Sequence, residues 1–184
     1  MSRQAGSRLS VAYTLSNLGR VAVKLHDYDE AIAYLEESLA IHREFDNRLG
    51  SAYTIQNLGK LSYHRGDYAE AIELYTQSLE IWREQGSHRG VVSMLELFAE
   101  VGIAGNDVAW AVRLLAAAEA LREQIGWAWT SSERKSSEAR IVQARDMLSK
   151  EVFTTLWQEG RTMTEEGVAI DYAFDAGPYP RVAS

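Results

Sequence analysis

Four histidines, His26, His42, His64 and His88, are the side chains in this sequence that metal ligation or proton transfer would recruit first. No two of them stand four apart, the separation that sets a pair of imidazoles on one helical face around a zinc ion. We read them as exposed residues on helix surfaces. Acidic neighbours such as Glu36/Glu37 and Glu165/Glu166 are adjacent in the chain, so their carboxylates diverge around a helix instead of converging as a general acid and base must. The segment closest to a phosphate loop, Leu58-Gly59-Lys60, lacks the upstream glycine and the Ser or Thr after the lysine. No G-x-S-x-G elbow occurs, and with no cysteine there is no thiol nucleophile, thiolate ligand or disulfide. Trp127 and Trp129 flank a turn, and packing between helical segments is a simpler use of their rings than a ligand site. The expectation is a chain with no catalytic residue, no metal and no cofactor.

Bulk properties narrow the partners. The 19 basic residues are outnumbered by 26 acidic ones, giving a net charge of -7, and no part of the chain holds a basic block. Phosphate binding needs clustered cations, so nucleic acid is disfavoured as a direct ligand. At 184 residues and 46% hydrophobic, one domain with a continuous core is the expectation. Residues 1–10 are polar, carry Arg3 and Arg8, and have no apolar stretch behind them. No run approaches the ~18 apolar residues of a membrane span. We expect a soluble, unexported, cytoplasmic chain that makes no membrane contact.

Any functional side chain here is positioned by repetition. Aligning residues 12–45 with 52–85 makes 16 of 34 positions identical, among them Ala12/Ala52, Tyr13/Tyr53, Asn17/Asn57, Gly19/Gly59, Tyr28/Tyr68, Ala31/Ala71 and Ser38/Ser78. A blurred third copy keeps the apolar register through Leu95, Phe98, Val101, Val108, Ala111 and Leu114. Arg122-Glu123-Gln124 echoes Arg83-Glu84-Gln85 at an offset of 39, which reads as one residue lost from the third copy.

Each copy reads as two helices, since apolar residues recur every three or four positions at Leu15, Leu18, Ala22, Leu25 and again at Ala31, Ile32, Leu35, Leu39. Between these runs, Asp27 and Glu30, repeated as Asp67 and Glu70, predict a helix start in which the aspartate accepts backbone N–H bonds and the glutamate reaches back. Gly19 and Gly59 fall inside a helix, where glycine costs ~1 kcal/mol against alanine, so a closely approaching neighbour is expected there. Small residues seven apart, Ala31/Ser38, Ala71/Ser78 and Ala111/Ala118, supply the matching surface. The periodicity predicts helices near 8–26, 28–45, 48–65, 68–86, 89–105, 107–125, 132–148 and 150–161, with a short one after Thr164. Thr130-Ser131-Ser132-Glu133 is a capping box.

The motifs Asn17-Leu18-Gly19 with Tyr28-Asp29-Glu30-Ala31, and Asn57-Leu58-Gly59 with Tyr68-Ala69-Glu70-Ala71, resemble the tetratricopeptide repeat (TPR) family, whose pattern is a Leu-Gly pair, an aromatic at the second helix's start and spaced small residues. The resemblance is strong over 12–85 and weaker over 92–125, where Phe98-Ala99 stands for Leu-Gly and Val108 for the aromatic. It implies an all-α fold, a right-handed helical-repeat solenoid of three TPR-like helix pairs over 8–126 (about 12–50, 51–90 and 91–126). Residues 127–175 would form a C-terminal helical cap and 176–184 a flexible tail. The copies are longer than the usual ~34 residues and lack its terminal proline. In this they resemble the arrays of bacterial multidomain signal-transduction ATPases and transcriptional regulators.

The resemblance also implies a site. First helices of successive repeats line a groove in such proteins, which here places Tyr13, Asn17, Arg20 and Lys24 beside Tyr53, Gln56, Asn57, Lys60, Tyr63 and His64. Amides there can hydrogen-bond a peptide backbone and the cations can meet acidic groups. The carboxylate clamp of chaperone-binding members is not reproduced, because only Asn57 fits it. In the third copy Ser93, Glu96, Glu100 and Ile103 make the groove acidic or apolar. The expected function is a non-catalytic protein- or peptide-binding module of a bacterial regulatory or signalling system, with an acidic segment as partner. The alternative is a self-association unit: the first repeat begins with no capping helix before it, so its outer face is left to a second copy in a homodimer, an upstream domain, or solvent.

Overall fold

The computed structural model describes residues 3–175 and 177, so most of the expected tail at 176–184 lies outside the described residues. Among the described residues there are nine α-helices and no strand: α1 (Arg3–Lys24), α2 (Tyr28–Glu44), α3 (Arg48–Arg65), α4 (Tyr68–Glu84), α5 (His88–Ala104), α6 (Val108–Gln124), α7 (Ser131–Asp146), α8 (Lys150–Arg161) and α9 (Glu166–Asp175). The fold is all-α, as its periodicity predicts. The first helix begins earlier than expected, because no proline stands between Arg3 and Arg8 to stop it.

A left-handed residue closes each turn: His26 (φ 62°), Asp46 (48°), Gly66 (86°), Gly86 (64°), Asn106 (65°) and Gly126 (63°). These fall every 20 residues. A residue of this conformation lets the chain double back while its N–H still reaches a carbonyl of the helix it ends. The regular spacing corrects the reading of a lost residue in the third copy. Asn106 and Gly126 stand 40 after Gly66 and Gly86, and Val108 opens α6 40 after Tyr68 opens α4. The Arg-Glu-Gln echo at offset 39 is coincidental.

Two compact units divide the chain, Met1–Gly86 and Ser87–Ser184. In the first, α1 packs with α2 and α3 with α4, and α3 also contacts α2 and α1. The helical glycines make these approaches possible: a Cβ built on Gly19 would stand 2.5 Å from Leu35 Cγ, and one on Gly59 2.5 Å from Tyr75 Cε1. The small residues have a second role, because the buried hydroxyls of Ser38 and Ser78 donate across each pair to the carbonyls of Ala12 (2.7 Å) and Ala52 (2.8 Å). Ion pairs repeat too, Arg8 with Glu44 and Arg48 with Glu84.

Helix starts differ from the expectation. Neither Asp27 nor Asp67 makes a side-chain capping bond. Asp67 instead pairs with Arg65 at 3.5 Å, and Glu70 accepts from the Ser62 hydroxyl at 2.8 Å. The side-chain caps belong to Asn47 on α3, Ser87 on α5, Asp107 on α6 and Ser149 on α8, while Thr130 and Glu133 form the expected capping box on α7.

In the second unit α6 is the central helix, packed by α5, α7, α8 and α9. Gly160 of α8 seats its backbone on α6, where a Cβ would come within 2.3 Å of the Arg113 carbonyl. Phe98, Trp110 and Phe174 meet edge to face in the core. Arg122 is buried with its guanidinium 3.7 Å from the centre of Trp127 and 3.8 Å from that of Trp129, which gives both rings a packing role.

Candidate partner-binding site

Side by side, α1 and α3 bring part of the expected strip together. Arg20, Val23 and Lys24 from α1 and Asn57, Lys60 and His64 from α3 line one cavity of 130 Å³. Its chemistry follows from helical spacing, since Arg20 and Lys24 lie four apart, as do Lys60 and His64, and so share a face. Asn57 is fully buried. Its Nδ2 donates to the Ser16 hydroxyl at 3.1 Å, which fixes the amide and leaves Oδ1 with no partner. Arg20 is half-buried, and its Nε likewise has no hydrogen-bond partner. A buried acceptor and a buried donor without partners carry a desolvation cost.

The other expected residues are arranged differently. Asn17 is exposed and accepts from the Tyr53 hydroxyl at 3.3 Å, which ties α1 to α3 next to the cavity. Gln56, expected to line the groove, is buried. Tyr63 is half-buried, its ring 5.4 Å from His64 and 5.7 Å from Tyr68. Tyr13 turns to His42, ring centres 4.7 Å apart, and accepts from Asn47 Nδ2 at 3.1 Å.

His42 corrects the reading of four exposed histidines. It is completely buried, and a Cβ on Gly50 would stand 2.3 Å from its ring, so the glycine is what admits it. Burial lowers its pKa below the usual 6.5. Sequence reasoning missed this although a signal was present, since the offset of 40 sets His42 opposite Trp82, a large ring at the same register. The hydroxyl of Ser16, a position on the same face of α1 as the expected groove residues, is buried, accepts from Thr54 at 3.2 Å and holds Asn57.

In the second unit the acidic positions expected on the third copy's first helix are already engaged. Arg140 of α7 lies 3.8 Å from Glu96 and 3.6 Å from Glu100, and Arg122 lies 3.5 Å from Glu96. Burial raises the pKa of Glu96, with Arg140 and Arg122 opposing the shift. Ile103 is buried.

Among the described residues no group of three or more His, Cys, Asp or Glu is placed to hold a metal ion, and no helix is long and apolar enough to cross a membrane. A family model described as tetratricopeptide repeat matches residues 10–84 and 51–124. A search of curated proteins returns no match.

Proposed function

The chain belongs to the tetratricopeptide repeat family, whose repeats generally mediate protein–protein interaction, and from this we propose that it is a non-catalytic module that binds an acidic protein or peptide segment along the α1–α3 strip. One observation carries the reading: Arg20 and Lys24 of α1 and Lys60 and His64 of α3 converge on one cavity beside Asn57. The cations there favour acidic side chains on the bound segment, although the whole chain is acidic.

The length of the repeat supports a narrower setting, a cytoplasmic role as the sensory or assembly part of a bacterial regulatory or signalling system. A peptide array tests the binding itself. Acidic, neutral and basic peptides of one length are presented to the wild-type chain and to Arg20→Glu/Lys60→Glu. The wild type is expected to retain acidic peptides selectively and the double variant to lose that selection; equal retention by both contradicts the proposal.

A further inference from the structure

The repeat presents the seam between its paired helices in two states, filled in the second unit and open in the first. In the second unit α9 lies along α5 and α6. Its first residue, Glu166, pairs with His88 at the start of α5 at 2.6 Å, and near its end Phe174 meets Phe98 edge to face. Beyond it Gly177 lies against Trp110, where a Cβ would stand 3.0 Å from the indole. Ala169, Ile170, Ala173 and Phe174 are the buried residues of α9, so Ile170 and Phe174, four apart, share the face that fills the seam.

The offset of 40 carries His88, Phe98 and Trp110 onto Arg48, Leu58 and Glu70 of the first unit. These three line open space: Leu58 and Glu70 a cavity of 510 Å³, and Arg48 a second one of 340 Å³. The larger volume arises because a leucine and a glutamate stand where the other unit has two buried rings. Ile32, Leu39, Leu58, Leu61 and Leu74, from three helices, supply its apolar lining, and its size is that of sites that hold a ligand, roughly 300–1,000 Å³. Along α3 the two cavities are consecutive, with Ser51 and Ile55 in the smaller and Leu58 and Leu61 in the larger. Ser51 to Leu61 spans about 15 Å of helix, the length of the ten-residue α9. Arg43 lines both cavities, and its side chain makes no ion pair among the described residues.

We propose that the groove between α2 and α4, floored by α3, is a docking site for a short amphipathic helix of the α9 type supplied by a partner protein. The partner sets two large apolar side chains, at the spacing of Ile170 and Phe174, over Leu58 and Leu61. They are larger than those of α9, since they replace the volume that Phe98 and Trp110 occupy in the filled seam. A carboxylate one turn before them, where α9 has Glu166, meets Arg43. This groove shares no lining residue with the α1–α3 cavity, because Leu58, Leu61 and Arg65 lie on a different face of α3 from Asn57, Lys60 and His64.

The probe is a capped, fluorescently labelled peptide of residues 166–175 carrying Asp171→Asn and Asp175→Asn, which leaves Glu166 as its one carboxylate. It is titrated against the full chain, and wild type is expected to bind it saturably. Ala40→Trp, at an exposed position on the cavity wall, fills the groove and weakens binding by about tenfold or more, with circular dichroism showing a normal fold. Ala40→Ser leaves the space open and binds as wild type does, as does Lys60→Glu in the other site. Arg43→Glu weakens binding severalfold. Absence of saturable binding overturns the proposal. Equal binding by Ala40→Trp overturns it as well, since the peptide is then held elsewhere, the seat of α9 on α5 included. A dimer in light scattering that Ala40→Trp dissolves, without peptide binding, assigns the groove to a second copy and has the same consequence. Loss of binding in Lys60→Glu but not in Ala40→Trp moves the peptide to the α1–α3 strip, which overturns the proposal while supporting the function proposed above.

Discussion

Gly59 lies so close to Tyr75 that a Cβ on the glycine would stand 2.5 Å from Cε1 of the ring and 2.6 Å from Cδ1. Tyr75 is fully buried and cannot swing clear. Gly59→Leu therefore forces the α3–α4 pair apart, at a cost of ~1–3 kcal/mol. Thermal denaturation measures it, and an unchanged melting temperature would contradict the packing.

That contact was legible in the sequence as a glycine inside a helical pattern, repeated at Gly19. So were the helices, because their apolar periods are long and the copies agree. The less legible features depend on distances that a pattern does not contain. Asp27 and Asp67 have the residue type and position of a cap, yet their side chains make no capping bond, and nothing in the string Asp-Tyr-x-Glu distinguishes that outcome. Asn57 was assigned to the groove by register, but its burial against Ser16 depends on how closely α1 approaches α3. In the third copy three letters match at the wrong offset and suggest a lost residue, whereas the turn residues Asn106 and Gly126 keep the true period.

Asp46 holds φ at 48°, a conformation that costs an L-residue roughly 1–2 kcal/mol and glycine very little. The two equivalent turns, at Gly86 and Gly126, use glycine. Asp46→Gly is expected to stabilise the first unit by ~0.5–1 kcal/mol after the extra chain entropy of glycine is subtracted. A lower melting temperature for this variant would mean that the aspartate side chain is needed at the turn.

His42 makes the first unit sensitive to acid. Its buried ring adjoins Tyr13 of α1, Asn47 and Gly50, with no carboxylate among these neighbours to stabilise an imidazolium. The folded pKa is lowered from 6.5 by burial. As pH falls through and below that value the unfolded chain takes up a proton that the folded chain resists, so this contribution to stability is present above it and lost below. Chemical denaturation from about pH 7.5 to about pH 5.5 should show a steeper loss in wild type than in His42→Gln, which keeps a hydrogen-bonding side chain and does not titrate. Identical slopes would remove His42 as the cause.

Arg122 is held between Trp127 and Trp129 and faces the half-buried Glu96. Arg122→Leu removes two ring contacts and leaves Glu96 with Arg140 alone, an expected loss of about 2 kcal/mol or more. Tryptophan emission should shift as Trp127 and Trp129 separate. If neither stability nor emission changes, the guanidinium is not what orders this turn.

The most direct test of the binding strip is a calorimetric titration of an acidic peptide selected on the array. It is carried out with wild type, Arg20→Glu/Lys60→Glu, and Arg134→Glu/Lys135→Glu, whose side chains are exposed on α7 in the second unit. The strip variant should bind about tenfold more weakly or worse, and the α7 variant as wild type does. Raising salt from about 0.05 M to about 0.5 M should weaken the wild-type complex, because exposed charges are screened. Unchanged affinity in Arg20→Glu/Lys60→Glu would contradict the account and show that the peptide is held elsewhere.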